Sequence, residues 1–155
     1  MSALTAALCS CMADTRHLDF ISIGSNGWKH TDTLTYTIPP LREIGDCGFS
    51  LLLHTDNYPY ENVALDVTIR QDTTLLLHKE QNFLLDHNPA KRGIGHRCDY
   101  TLFIDNIALC DTLPATVTLV QQLVQDTLMG IREVGIRIGA PLYQSNGPEW
   151  RVDWN

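Results

Sequence analysis

Val63-Ala64-Leu65-Asp66-Val67-Thr68-Ile69 puts Val63, Leu65, Val67 and Ile69 on one face of an extended chain and Ala64, Asp66 and Thr68 on the other. Successive side chains alternate across a β-strand, so this stretch reads as a strand with one buried face. The same period runs outward from it. Thr33 to Ile38 sets Leu34, Tyr36 and Ile38 against three threonines, and Ala115 to Leu119 and Val134 to Ile138 alternate likewise. Phe49 to Leu53 and Tyr100 to Ile104 read as shorter, more apolar strands, and Leu75 to Leu77 and Phe83 to Leu85 as two more.

Turn-forming groups separate these runs: Ser25-Asn26-Gly27, Pro39-Pro40, Asp56-Asn57-Tyr58-Pro59, Asn88-Pro89, Gly93-Ile94-Gly95 and Gly139-Ala140-Pro141. Many short strands at this spacing predict one all-β domain, an antiparallel β-sandwich or jelly roll in which each sheet has one wet face. Helical spacing is approached only between Gln121 and Gly130, which reads as a turn or single helical turn. The expected layout is a residual signal peptide over 1–11, a tether over 12–26, the β-sandwich over 27–140 and a tail or edge strand over 141–155. That last stretch carries Trp150 and Trp154, and an edge strand is the favoured reading.

A chain of 155 residues with a net charge of −7 suits one domain that repels phosphate backbones, which excludes non-specific nucleic-acid binding. It also excludes a polybasic hold on anionic lipid, so a membrane attachment would have to be of another kind.

Such an attachment is suggested at the start. Met1 to Met12 carry no charge, and a short apolar run of Ala3, Leu4, Ala6, Ala7 and Leu8 ends in Cys9-Ser10-Cys11. The run is too short to span a bilayer, and it reads as the end of a signal segment with a small-residue cleavage site. Leu8-Cys9-Ser10-Cys11 resembles a bacterial lipobox, with Cys11 as the lipid-bearing thiol and Cys9 the alternative. The missing basic segment suggests a start upstream of this Met. The competing reading is a buried element with two inert cysteines. Cys47, Cys98 and Cys110 would remain, enough for one disulfide at most or for three separate buried thiols acting as small hydrophobes.

Catalytic motifs are lacking: no G-x-S-x-G, P-loop, H-E-x-x-H or C-x-x-C occurs. His87, His96 and Cys98 match no metal-ligand spacing, so no metal or cofactor is expected. His54 and Asp56 share one side of a strand end and could form an acid–base pair, but no nucleophile accompanies them. The most distinctive loop is Tyr58-Pro59-Tyr60-Glu61-Asn62. Pro59 holds Tyr58 extended, and the two tyrosines offer broad amphipathic surfaces. The loop reads as a structural corner pinned by tyrosine hydroxyls, and as the candidate partner contact if exposed.

This loop also carries a resemblance. Tyr58-Pro-Tyr-Glu-Asn-Val63 resembles the YPYxNL core of the gliding-motility lipoprotein family GldH, found in Bacteroidota. Trp28 with Asp32 and the following strand, Arg92-Gly-Ile-Gly95, and Leu128-Met-Gly-Ile-Arg-Glu-Val-Gly-Ile-Arg-Ile138 are similar to further blocks of that family. The resemblance implies a lipid-anchored protein of the cell envelope, periplasm-facing, that binds other envelope or motility proteins and is not an enzyme. It brings no catalytic residues. The runner-up expectation is a carbohydrate-binding sandwich that stacks a glycan on Tyr58, Tyr60 and Trp28 or Trp150.

Overall fold

The computed structural model describes residues 15–42, 45–85 and 97–142. The strands are β1 (His17–Ser22), β2 (Trp28–Lys29), β3 (Leu34–Ile38), β4 (Asp46–Asp56), β5 (Asn62–Gln71), β6 (Thr74–Leu84), β7 (Arg97–Ala108), β8 (Ala115–Gln121), β9 (Thr127–Leu128) and β10 (Ile131–Gly139). The described residues contain no helix. Two four-stranded sheets, ordered β1-β10-β4-β7 and β3-β8-β5-β6, carry the domain, and β2 pairs with β9 in a small separate ladder. Every pairing is antiparallel, as the alternating pattern predicts.

The deciding stretch lies inside β5, which is central to its sheet with β6 on one side and β8 on the other. Val63, Leu65, Val67 and Ile69 are fully buried, and they meet Phe49, Leu51, Leu53, Val134, Ile136 and Ile138 of the other sheet in one core. Each such side chain contributes about 1.5–3 kcal/mol by leaving water. Tyr36 crosses the layer: its hydroxyl donates to the Val134 carbonyl, tying β3 to β10. At one rim Lys79 of β6 donates from Nζ to the Ile104 carbonyl of β7 at 2.7 Å and lies 3.6 Å from Asp105. A charge pointing at the neighbouring sheet blunts the free edge of β6 against foreign strands.

The chain runs up and down, so the loops gather at two ends. The entry end holds Thr15, Pro39–Arg42 and Gly45, the Asp72-Thr73 hairpin, Leu109–Pro114 and Ala140–Leu142. The far end holds Ile23–Thr33, Asn57–Glu61 and Gln122–Gly130.

Three expectations are corrected. The stretch read as a tether contains β1, which pairs along β10 from His17 opposite Ile138 to Ser22 opposite Glu133. The fold grips even earlier residues: Arg137 Nε donates to Thr15 Oγ1 at 2.9 Å and the Arg16 amide to the Ile138 carbonyl at 2.7 Å. The two strands expected around Leu76 and Leu84 are one strand, because His78, Glu80 and Asn82 between them alternate outward along an edge. Residues 122–126 make no helical turn; they form a loop leading into β9. Cys47, Cys98 and Cys110 are all free thiols, but the reading of three separate buried thiols fits only Cys47: Cys98 is half-buried and Cys110 is exposed. Cys9, Cys11, His87, His96, the Arg92–Gly95 block and the 143–155 tail lie outside the described residues.

Candidate functional site

The far end brings together segments widely separated in sequence. Gly130 is the junction. Its φ is +89°, a conformation open to glycine, and a Cβ there would lie 2.8 Å from Tyr58 Cα and 3.1 Å from the Asp56 carbonyl oxygen. The Gly130 carbonyl in turn accepts the Asp56 amide at 2.8 Å. The tyrosine loop therefore rests directly on the turn that precedes β10. Gly27, also at positive φ, backs onto β9: a Cβ there would meet Met129 Sδ and Thr127 Cγ2 at 2.6 Å.

Trp28 fills the space beneath. It is 1% exposed, pairs with Leu128, and donates from Nε1 to the Asp32 carbonyl at 3.0 Å. Gln121 completes the bracket. Its buried amide donates to the Gln125 carbonyl at 3.1 Å and approaches the Trp28 and Asp126 carbonyls at 3.4 and 3.5 Å, while its oxygen accepts the Leu123 amide at 3.0 Å. One side chain thus satisfies backbone groups that a helical turn would otherwise have bonded to each other. A glutamine at the end of a strand gives no local signal of this task, so of the two expectations for 122–126 the helical turn fails and a non-helical turn remains.

Within Tyr58–Asn62, the Tyr58 hydroxyl donates to the Asn62 carbonyl at 2.8 Å, closing the loop on itself. Burial pushes that phenol well above its ordinary range, with the neighbouring Tyr60 and Tyr100 adding to the rise. The two rings meet edge to face, centroids 5.4 Å apart and planes at 77°. The Tyr58 hydroxyl pins the corner to the backbone as that reading expects; Tyr58 and Tyr60 are half-buried, and Pro59 and Glu61 are exposed. With Trp28 buried and the tyrosine rings crossed, these three side chains do not form the coplanar exposed row on which a sugar would stack.

His54 does not pair with Asp56. It sits on the outer face of the β1-β10-β4-β7 sheet, with Nδ1 3.0 Å from Glu133 Oε2, Nε2 3.9 Å from Asp99, and the Phe20 ring at 5.0 Å. Asp56 instead lies 3.8 Å from Arg97. The Thr55 hydroxyl between them is turned to the Cys98 carbonyl at 3.1 Å, so it is not presented to either as a nucleophile. Phe20 can lie across β10 because Gly135 has no Cβ; one added there would meet the ring at 2.6 Å. Among the described residues no cluster of His, Cys, Asp and Glu is placed to hold a metal ion.

Three of the four blocks that carried the resemblance therefore meet in space: Trp28, the tyrosine loop and the Leu128–Ile138 stretch form one end and one adjoining strand. A profile described as GldH lipoprotein matches residues 18–138. This chain belongs to the GldH lipoprotein family. That membership makes it a gliding-motility-associated lipoprotein and assigns it to the cell envelope through a lipid anchor. The family's closing block has a structural account here: Gly130 seats Tyr58, Glu133 faces His54, Gly135 seats Phe20 and Arg137 holds Thr15. A search of curated proteins finds no match. Among solved structures, the chain is similar to dimeric latent PorU from Porphyromonas gingivalis, at 10% identity and a TM-score of 0.40, over 92% of this chain and 15% of that one.

Proposed function

We propose that this chain is a non-catalytic envelope lipoprotein, anchored through Cys11, that assists gliding motility or the assembly of an envelope complex by holding a protein partner. The observation that carries this reading is the family match over 18–138, which spans the whole sandwich. The far end supports it. Its loops are fixed by a buried tryptophan, a bracketing glutamine and a close-packed glycine, so exposed Pro59 and Glu61 are offered in one geometry. Preorganised surfaces of this kind lose little entropy on binding.

The reading is tested in the native host. Palmitate should label the wild-type chain and not Cys11→Ala. A photo-crosslinking residue at Pro59 or Glu61 should trap an envelope protein, whereas one at exposed Thr35 on the opposite sheet should not. Labelling that survives Cys11→Ala would remove the anchor assignment, and equal trapping at Thr35 would remove the partner assignment.

A further inference from the structure

We propose that the domain stands end-on at its membrane, with the entry end against the lipid headgroups and the Tyr58–Asn62 end held a full domain length away. This rests on the reading of Cys11 as the lipid-bearing residue. Only Met12, Ala13 and Asp14 separate Cys11 from Thr15, which the fold already grips through Arg137. Four residue steps reach at most about 14 Å. Anchoring at Cys9 would extend this to about 21 Å. The eleven residues of β4, which run from one end of the sandwich to the other, cover about 33 Å. The leash is shorter than the body it holds, so the entry end stays at the membrane while the far end can reach it only if the whole domain lies flat.

The surfaces argue against lying flat. One sheet's outer face carries Glu133, His54 and Asp99 in a single row, and the other carries Asp66 and Glu80 among threonines. Pressing either into headgroups would strip water from these charges, and the exposed apolar side chains on the two faces, Leu18 on one and Leu75 and Leu84 near opposite ends of β6 on the other, are isolated rather than gathered into a patch. Exposed apolar side chains occur at both ends, with Val124 and Met129 97% and 49% exposed at the far end, so the leash and not hydrophobicity selects the entry end. Leu113 and Leu142 are 39% and 56% exposed there, beside the exposed prolines Pro39, Pro40 and Pro114. Its exposed carboxylates, Asp46 and Asp72, gain nothing from anionic lipid, so the covalent leash rather than charge fixes the orientation.

The chain supplies its own reporter. Cys110 is exposed at the entry end, and its thiol is held below the ordinary range chiefly by a hydrogen bond with Thr112, 3.2 Å away. The lipidated full-length chain, carrying Cys98→Ala to leave Cys110 as the accessible thiol, is labelled with a donor fluorophore and reconstituted in phosphatidylcholine vesicles bearing an acceptor on the headgroup. A second version carries Cys110→Ser and Gln125→Cys, moving the donor to the far end. Energy transfer is expected to be several-fold greater from position 110 than from 125. A flexible Gly/Ser insert of about twenty residues between Asp14 and Thr15 should erase the difference. Equal transfer from both positions in chains that float with the vesicles means a flat or freely swinging domain and overturns the proposal while leaving the anchor intact. Chains that acquire no lipid and do not float overturn the anchor reading, and this proposal with it.

Discussion

The two ends of the sandwich are each closed by a buried glutamine at a strand terminus, and they differ in everything around it. At the entry end, Gln71 donates to the Cys110 and Leu113 carbonyls at 2.8 and 3.0 Å and accepts the Cys110 amide at 2.7 Å. It holds the β7–β8 loop largely by itself. At the far end Gln121 makes longer bonds but shares the work with Trp28, Gly27 and Gly130. One end is tied by a single polar clasp, the other by packing in which several segments depend on one another. Interlocked packing holds a surface in one shape, which is what recognition needs; a clasped loop needs only to stay closed.

The difference can be attacked at several points. Trp28→Ala should have the largest effect, a loss of about 3–5 kcal/mol in urea unfolding, since it empties the centre of the far end. A loss below about 1 kcal/mol would mean that the far end does not depend on it. Gly130→Ala comes next, at about 2–4 kcal/mol, combining the positive φ with a Cβ forced onto the Tyr58 backbone. Gly24→Ala is its control, because a Cβ at Gly24 meets nothing, and its midpoint should hardly move. Smallest are the clasps. Gln71→Leu and Gln121→Leu should each cost about 1–3 kcal/mol by orphaning buried backbone groups, with Gln71 the costlier because its bonds are shorter. Hydrogen exchange would localise each loss to its own end. The reverse order would show that the far end relies on its glutamine more than on its packing.

The fold was legible wherever burial follows a local rule. Val63 to Ile69 and Leu34 to Ile38 alternate cleanly because each has one face on the core, and β5 and β3 fall where the pattern puts them. Strand β1 was missed because His17 and Asp19 interrupt its apolar residues; what makes it a strand is the waiting edge of β10, over a hundred positions away. The β6 strand was split for a related reason: an edge strand keeps polar residues on its wet side, and these look like a break. At the site, the tyrosine loop was legible from proline and its flanking aromatics. The roles of Gln121, Gly130 and Gly135 were not, since each is defined by a contact with a distant segment. The family resemblance marked two of these, Gly130 and Gly135, without explaining them.

The pairing of β1 with β10 also bears on the order of folding. His17–Ser22 is among the first parts of the domain to appear on any route that delivers the chain N-terminus first, and its partner is the last strand among the described residues. The sheet they share stays open until Ile138 has arrived. Closing so long a loop is slow relative to local pairing. If the chain is exported as the proposed anchor at Cys11 requires, the first strand cannot complete its sheet before the final strand has crossed, and the domain locks only on the far side.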